Sequence, residues 1–336
     1  SSSFRYGFLN QLYCFSESIN MKIVILDGNA LNPGDLSWEE FHKLGEVTLY
    51  DRTPKDLVIS RIGDAEILIT NKVSISKDIL DQCPNLKYIG VLATGYNIID
   101  TKACAEKSIV VTNIPSYSTS AVAQAVFAYI LEFTNGVNAH NKSVHNGDWC
   151  KSKDFCYWIH HLVEIAGKTL GIIGFGSIGK QVAKIAEAFG MKVLTYTRTP
   201  SKVSSPVKAV SLEELLQESD FITLHAPLTP ETTHIINEKS LKLVKNKAML
   251  INTARGPLVD ELAVKNALVS GELAFYAADV LSSEPMDKNC PLLGCKNTLI
   301  TPHVAWAGFE TRQRLMNIAV ENLKSFLDGK PINQVY

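Results

Sequence analysis

Three side chains with complementary acid–base chemistry lie in the C-terminal half of the sequence, each beyond a predicted strand: Arg255, Glu284 and His303. Reduction of an oxo group leaves charge on its oxygen, and histidine is a suitable proton donor for that oxygen near neutral pH. A carboxylate beside the ring favours its protonated form, and a guanidinium can hold a substrate carboxylate through paired hydrogen bonds. These residue types predict reduction of a 2-oxo acid, with His303 as proton donor, Glu284 as its partner and Arg255 as carboxylate anchor.

Each of these side chains also has a purely structural alternative. Arg255 can be a surface arginine at a helix start, Glu284 a solvated loop carboxylate, and His303 a strand-end histidine satisfied by its neighbours. The catalytic interpretation requires a hydride donor bound near the same strand ends.

A glycine-rich turn predicts such a donor. The residues Gly174-Phe175-Gly176-Ser177-Ile178-Gly179 separate a predicted buried strand, residues 169–173, from a helix predicted over 180–189. In such a turn the first glycine allows a tight bend, the second lets the backbone approach a pyrophosphate, and the third lets the helix pack against the strand. The phosphates then lie at a helix N-terminus, where free N–H groups favour negative charge. The turn predicts a nicotinamide dinucleotide site in a Rossmann domain; the alternative is three glycines that serve a turn alone.

The strand after this turn bears on the choice of dinucleotide. NAD enzymes place an acidic residue at its end, where it bonds the ribose hydroxyls. Here the predicted strand 192–196 is followed by Thr197 and Arg198, with no acid. Arg198 can pair with a 2′-phosphate, which favours NADP, or it can remain a solvated arginine. The sequence therefore leaves NAD and NADP open.

Other predicted cofactor contacts follow from the position of ligands in doubly wound sheets, at the carboxyl ends of the strands. His225 is expected to offer its backbone rather than its ring. Besides the turn and Thr197-Arg198, the predicted cofactor contacts are His225, Ala226, Pro227, Thr232, Thr253, Ala254, Arg255, Asp279, His303 and Ala305.

Two series of alternating strands and helices run along the 336 residues, which is enough chain for two domains. The first series has predicted strands at 22–26, 47–50, 67–70, 88–92 and 109–112. The second has strands at 169–173, 192–196, 221–224, 248–251, 275–278 and 298–300. A long helix is predicted over 118–140 and a final helix over 310–327. The pattern predicts an α/β protein with two Rossmann-like doubly wound domains and a six-stranded parallel sheet in the cofactor domain.

The composition excludes several classes of protein. The 33 basic and 34 acidic residues give a net charge of −1 and are well mixed, so no nucleic-acid partner is expected. No apolar run reaches the roughly 18–20 residues that span a bilayer, so no membrane is expected. Seven cysteines without a Cys-x-x-Cys pair predict reduced thiols in the cytoplasm and no metal site. Residues 1–20 precede a natural start at Met21 and are expected to be an extension or leader outside the fold.

The sequence resembles the D-isomer-specific 2-hydroxyacid dehydrogenases from about Met21 to its end. Five motifs occur in the order of that family: 171–179 around the glycine turn, His225-Ala-Pro-Leu-Thr229, Ile251-Asn-Thr-Ala-Arg-Gly256, Ala278-Asp-Val-Leu281 with Glu284-Pro285, and Thr301-Pro-His-Val-Ala305. Within the family, four segments look most like glycerate dehydrogenases, the hydroxypyruvate reductases: Ala93–Asn97, Pro115–Thr119, Asp154–Trp158 and Ala305–Ala307.

The resemblance implies a site and a domain plan. Arg255, Glu284 and His303 would be the catalytic set, and the loop of Ala93, Thr94 and Gly95 would bind the substrate carboxylate through backbone N–H groups. A flavodoxin-like, discontinuous substrate domain would comprise residues 21–118 and 303–336. An NAD(P)-binding domain would comprise residues 119–302, and its segment 119–167 would be the arm of a homodimer.

The resulting hypothesis is reversible, NAD(P)-dependent reduction of hydroxypyruvate or glyoxylate to D-glycerate or glycolate. One alternative is a broad 2-oxo-acid reductase that acts on larger keto acids. Another, from a different class, is an NAD(H)-sensing interaction protein of the corepressor type, which keeps the same fold and catalytic set.

Overall fold

The computed structural model describes residues 21–336, and the extension expected over residues 1–20 lies outside the described residues. The chain divides into two compact units. Among the described residues, one unit contains residues 21–117 together with Ala307–Tyr336, and the other is Ser118–Trp306. Each unit is built on a sheet of parallel strands, as the alternation of strands and helices predicts.

The first unit contains a five-stranded sheet in the order β2-β1-β3-β4-β5, the flavodoxin-like arrangement. Its strands are β1 (Lys22–Ile25), β2 (Glu46–Leu49), β3 (Ile67–Thr70), β4 (Tyr88–Val91) and β5 (Val110–Thr112). Its first helices are α1 (Glu39–His42), α2 (Val58–Ile62), α3 (Lys77–Asp81) and α4 (Thr101–Glu106), with a 3-10 turn at Lys55–Leu57. All five strands lie within one residue of their predicted bounds.

The second unit contains a seven-stranded sheet in the order β12-β11-β10-β9-β6-β7-β8. Its strands are β6 (Thr169–Ile173), β7 (Lys192–Tyr196), β8 (Lys208–Ala209), β9 (Phe221–Leu224), β10 (Met249–Asn252), β11 (Phe275–Ala278) and β12 (Thr298–Ile300). Counted from β6, the order is 3-2-1-4-5-6-7, the Rossmann arrangement with one further strand. The prediction of six strands falls one short, because the two residues of β8 are too few to show a strand pattern.

Helices cover both faces of this second sheet. They are α5 (Thr119–Asn135), α6 (Val137–His145), α7 (Ser177–Ala188), α8 (Leu212–Glu218), α9 (Glu238–Leu241) and α10 (Glu261–Ser270), with 3-10 turns at Trp149–Lys151, Pro200–Lys202 and Gly256–Leu258. Neighbouring strand residues alternate between two apolar cores, since Leu250 packs on one face and Ile251 on the other.

The long helix predicted over 118–140 is broken in the structure. It ends at Asn135, and Gly136 adopts a left-handed conformation, with φ 55°, before α6 begins. The left-handed φ favours glycine here, and a Cβ atom at this position would also lie 1.8 Å from Nε2 of His160. The apolar spacing that predicted one helix continues on both sides of Gly136, so the pattern did not predict the break.

The polypeptide returns from the second unit to the first after Trp306. The family resemblance placed this boundary after residue 302, four residues earlier. His303–Trp306 stay with the second unit because its buried Asp279 binds them. The Asp279 carboxylate accepts hydrogen bonds from the N–H groups of Val304 and Ala305, at 2.8 and 2.9 Å.

The last helix, α11 (Phe309–Leu327), belongs to the first unit, where the Phe326 ring packs 4.8 Å from that of Tyr88. Arg312, only 9% exposed, makes a two-pronged pair with Asp35 at 2.8 and 2.6 Å. Its Nε also donates to the Ala307 carbonyl at 2.8 Å. These bonds join the start of the helix to the N-terminal part of the unit.

Candidate active site

The glycine turn has the geometry that its three glycines predict. Gly174 has φ +91°, and a Cβ there would lie 2.6 Å from the His225 carbonyl oxygen. A Cβ on Gly179 would lie 2.7 Å from the Gly174 oxygen, so the helix packs tightly against the strand. Gly176 instead faces open space, with no atom within 4 Å of an added Cβ. The turn is therefore closed on the protein side and open where a ligand would approach.

Two further observations fit the binding of a dinucleotide to the second unit. Ser177 and Ile178 begin the 12-residue helix α7, and N–H groups in a first turn have no partner within the helix. Thr253 Oγ1 is buried without a hydrogen-bond partner among residues 21–336, so it is a polar atom that a bound ligand can satisfy. Phe175 is half-buried between the first two glycines.

The end of β7 carries an arginine close to a carboxylate from another loop. Arg198 Nη2 lies 3.3 Å from Thr229 Oγ1 and 3.6 Å from Glu231 Oε2, with both charged side chains largely exposed. The loop itself is held by Thr232, whose hydroxyl donates to the Pro227 carbonyl at 2.7 Å. The sequence did not single out Glu231, because 33 positions separate it from Arg198. The geometry keeps both dinucleotides open, since a cation and a carboxylate lie together beside Thr197.

His225 is unsuited to proton transfer through its ring. Its Nε2 is hydrogen-bonded to Thr223 Oγ1 at 2.8 Å, and burial lowers the pKa of His225 to about 3. The ring therefore stays neutral near pH 7. Its carbonyl lies against Gly174, and Ala226 is buried; the backbone contact of this segment with the cofactor stays a prediction.

The turn after β10 presents Arg255. The Asn252 side chain, fully buried, donates to the Arg255 carbonyl at 2.9 Å and accepts from the Ala254 N–H at 3.1 Å. A Cβ at Gly256 would lie 2.0 Å from the Leu281 carbonyl carbon, so only glycine lets this turn lie directly on the segment that leads to Glu284. The Arg255 guanidinium is exposed, with Nη1 bonded to the Ala254 carbonyl at 2.7 Å.

Glu284 and His303 form the closest charged pair of the second unit. His303 Nδ1 lies 2.5 Å from Glu284 Oε1, and the other carboxylate oxygen accepts the Leu281 N–H at 3.1 Å. With a carboxylate as its partner, Nδ1 carries a proton, which leaves Nε2 as the nitrogen available for transfer. Both side chains are between a third and two-fifths exposed, so reactants can reach them.

The turn that carries His303 is supported from beneath by Asp279. Both Asp279 carboxylate oxygens bond to residues 301–305, so this side chain supports the turn that carries His303, and its contact with the cofactor stays a prediction. Trp306 adds a further bond, from its indole N–H to the His303 carbonyl at 2.7 Å. Neither this role of Trp306 nor the partners of Asp279 had a signal in the sequence.

The predicted carboxylate-binding loop lies at the end of β4 in the first unit. Thr94 Oγ1 donates to the Ile114 carbonyl at 2.6 Å, the Ile114 N–H donates to the Ala93 carbonyl at 3.0 Å, and the Asn113 amide donates to the Thr94 carbonyl at 2.9 Å. Gly95 follows, half-buried. These bonds hold the loop in one conformation within its unit.

Residues 21–336 contain no group of three or more His, Cys, Asp or Glu side chains placed to hold a metal ion. Over the same residues no helix is both long and apolar enough to cross a bilayer.

Comparison with known proteins gives matches along most of the chain. Residues 127–305 match the NAD binding domain of the D-isomer specific 2-hydroxyacid dehydrogenases. A hydroxypyruvate reductase from Blautia hydrogenotrophica is 48% identical over 320 residues, covering 94% of this chain and 99% of that protein. A glycerate dehydrogenase from Methylorubrum extorquens is 42% identical over 318 residues, covering 94% and 98%. The solved structure of an acyclic imino acid reductase with NADPH and D-Arg has a TM-score of 0.81 at 33% identity, and the match covers 94% of this chain and all of that one.

The glycine turn and the strand order of the second sheet, together with these matches, define an NAD(P)-dependent oxidoreductase. The chain belongs to the D-isomer specific 2-hydroxyacid dehydrogenase family. The resemblance seen in the five motifs is thereby confirmed.

Proposed function

We propose that this protein reversibly reduces hydroxypyruvate or glyoxylate, forming D-glycerate or glycolate. The names of the two relatives, at 48% and 42% identity over nearly the whole chain, support this substrate class. The observation that carries the chemistry is the 2.5 Å contact between His303 Nδ1 and Glu284 Oε1, because it directs Nε2 to proton transfer.

Each residue of the proposed site has a separate role in the reaction. When bound, the nicotinamide cofactor supplies the hydride that reduces C2 of the oxo acid. His303 donates the balancing proton from Nε2 to the C2 oxygen, while the Glu284 carboxylate stabilises the cationic ring. Arg255 binds the substrate carboxylate. In the oxidative direction His303 takes the proton back.

We also assign the cofactor contacts to the open side of the second unit. The glycine turn would receive the pyrophosphate, and the orphaned Thr253 hydroxyl would bond to the cofactor. Further contacts are proposed for Thr197, Arg198, His225, Ala226, Pro227, Thr232, Ala254 and Ala305.

A substrate panel tests this function. We expect the highest kcat/KM with hydroxypyruvate and glyoxylate and lower values with larger 2-oxo acids, measured with both NADH and NADPH. If Arg198 pairs with a 2′-phosphate, Arg198→Ala should raise KM for NADPH and leave KM for NADH nearly unchanged. Preference for a bulky keto acid would favour the broad reductase instead. Tight NADH binding without turnover of any panel member would contradict the proposal.

We further propose that the arm of residues 119–167 pairs two copies of the chain, in the cytoplasm as the free cysteines suggest. Three large aromatic side chains lie exposed within the ten residues 149–158: Trp149 at 52%, Phe155 at 89% and Trp158 at 66%. A single chain rarely leaves such a surface in water, and two-fold pairing would cover it.

Light scattering after gel filtration checks this pairing. The wild type should have twice the mass of one chain, and Phe155→Asp should shift it toward one, because a charge cannot be buried unpaired in the interface. Val269→Asp is the matched control, since Val269 is 77% exposed on α10, outside the arm. A wild type with the mass of a single chain would refute the dimer.

A further inference from the structure

The backbone at His303 is held in a conformation that is uncommon for a residue with a side chain. Its φ is +54°, in the left-handed region. Such a conformation costs roughly 1 kcal/mol or more and persists where neighbouring bonds fix it. Here the next two N–H groups, of Val304 and Ala305, each donate to a different oxygen of Asp279. The placement of the His303 ring therefore depends on the placement of this carboxylate.

Asp279 is itself fixed by a chain of hydroxyl groups. The carboxylate is 2% exposed, and Thr301 Oγ1 lies 2.7 Å from its Oδ1. Tyr129 OH lies 2.6 Å from the same Thr301 oxygen. Tyr129 comes from α5 and Thr301 directly follows β12, so the chain joins a helix to a strand end across 172 positions of sequence.

The direction of each hydrogen bond in this chain follows from counting protons. Both Asp279 oxygens already accept backbone N–H groups, so the carboxylate acts as an acceptor. The single proton of the Thr301 hydroxyl must then go to Asp279, and Tyr129 must donate to Thr301. Burial raises the pKa of the Tyr129 hydroxyl, which consequently keeps the proton it donates. Removing the Tyr129 hydroxyl therefore leaves the bond from Thr301 to Asp279 in place, whereas removing the Thr301 hydroxyl eliminates both hydrogen bonds.

We propose that Tyr129 and Thr301 are positioning residues for the reaction: through Asp279 they hold the turn on which His303 lies. This inference rests on the proposed role of His303 as proton donor. A catalytic group displaced by about 1 Å can lose about a hundredfold in rate. The chain therefore acts on the chemical step, although neither hydroxyl belongs to the proposed set of substrate and cofactor contacts.

Three substitutions at these two positions test the proposal with hydroxypyruvate as substrate. Thr301→Val removes both hydroxyl bonds and should lower kcat about 10- to 100-fold. Tyr129→Phe removes only the outer bond and should lower kcat about 3- to 10-fold. Thr301→Ser keeps the hydroxyl and should restore nearly the wild-type rate. The dissociation constant for NADH, measured by fluorescence, should stay within about twofold of wild type in all three.

Two readouts separate positioning from a general loss of stability. Because misplacing the proton donor slows the chemical step, the kinetic isotope effect with NADH deuterated at the transferred hydrogen should increase in Thr301→Val. In addition, Tyr129→Phe should cause no further loss of kcat in the Thr301→Val background, since Thr301→Val already removes the hydrogen bonds that connect Tyr129 to Asp279.

The matched control is Tyr88→Phe. Tyr88 OH also lies 2.6 Å from a threonine hydroxyl, that of Thr112, but in the first unit and without a carboxylate. We expect a comparable decrease in Tm and no change in kcat or in the isotope effect.

Wild-type kcat in Thr301→Val, fully additive losses in the double variant, or an equal kcat loss in Tyr88→Phe would each overturn the inference. Failure of the premise gives different results: without the proposed function the wild type would not turn over hydroxypyruvate, and without the proposed role of His303 the variant His303→Gln would keep the wild-type rate. A tenfold or greater loss in His303→Gln together with an unaffected Thr301→Val would overturn the positioning role alone.

Discussion

His303→Gln is expected to lower kcat for hydroxypyruvate reduction by about 10²- to 10⁴-fold, the usual contribution of a positioned general acid. Glutamine approximates the size of the ring and can still bond to Glu284, but it supplies no proton to the C2 oxygen. The dissociation constant for NADH should change little, because the glycine turn proposed to bind the pyrophosphate follows β6, whereas His303 follows β12. Steady-state kinetics with hydroxypyruvate and a fluorescence titration with NADH measure the two quantities.

His234→Gln provides a matched control for this substitution. His234 belongs to the same unit, is exposed, and has nearly the same left-handed backbone, with φ 53° against 54° at His303. Strain from placing glutamine in that conformation is therefore the same in both variants. Near wild-type turnover in His303→Gln, or an equal loss in His234→Gln, would exclude His303 as the proton donor.

Arg255→Lys is expected to lower kcat/KM for hydroxypyruvate by about 10²- to 10³-fold. Lysine keeps the charge but lacks the planar fork that binds both oxygens of a carboxylate. The Asn252 side chain should still hold the turn, because it bonds to the backbone of residues 254 and 255. The loss should therefore reflect substrate binding rather than folding, and thermal melting should show a Tm close to wild type.

A substrate without a carboxylate shows whether the decrease in kcat/KM comes from lost carboxylate binding or from another effect of Arg255. Dihydroxyacetone has a ketone but no carboxylate, so its slow reduction should be nearly equal in the wild type and in Arg255→Lys. If the variant loses as much activity with dihydroxyacetone as with hydroxypyruvate, Arg255 does not act through the carboxylate.

Most of the fold, and the candidates for the catalytic residues, could be predicted from local sequence patterns. Eleven strands lie within one residue of their predicted bounds, because buried β-branched runs bounded by turn residues are short-range signals. The positive φ of Gly174 and the open face of Gly176 were likewise predictable, since a strand–turn–helix with this glycine spacing has few backbone solutions. Arg255, Glu284 and His303 could be selected because each lies beyond the end of a parallel strand.

Other features arise only when distant segments meet. Gly136 lies against a histidine 24 positions later, and Arg198 meets a carboxylate 33 positions away. The largest example is the support of His303. His303 could be selected as a candidate proton donor because it is a histidine beyond a strand end. The hydrogen-bonded hydroxyl groups that fix its turn instead join Tyr129 to Thr301 across 172 positions. Each such hydrogen bond depends on the ångström-scale placement of two elements, which periodicity and turn residues along one segment do not specify.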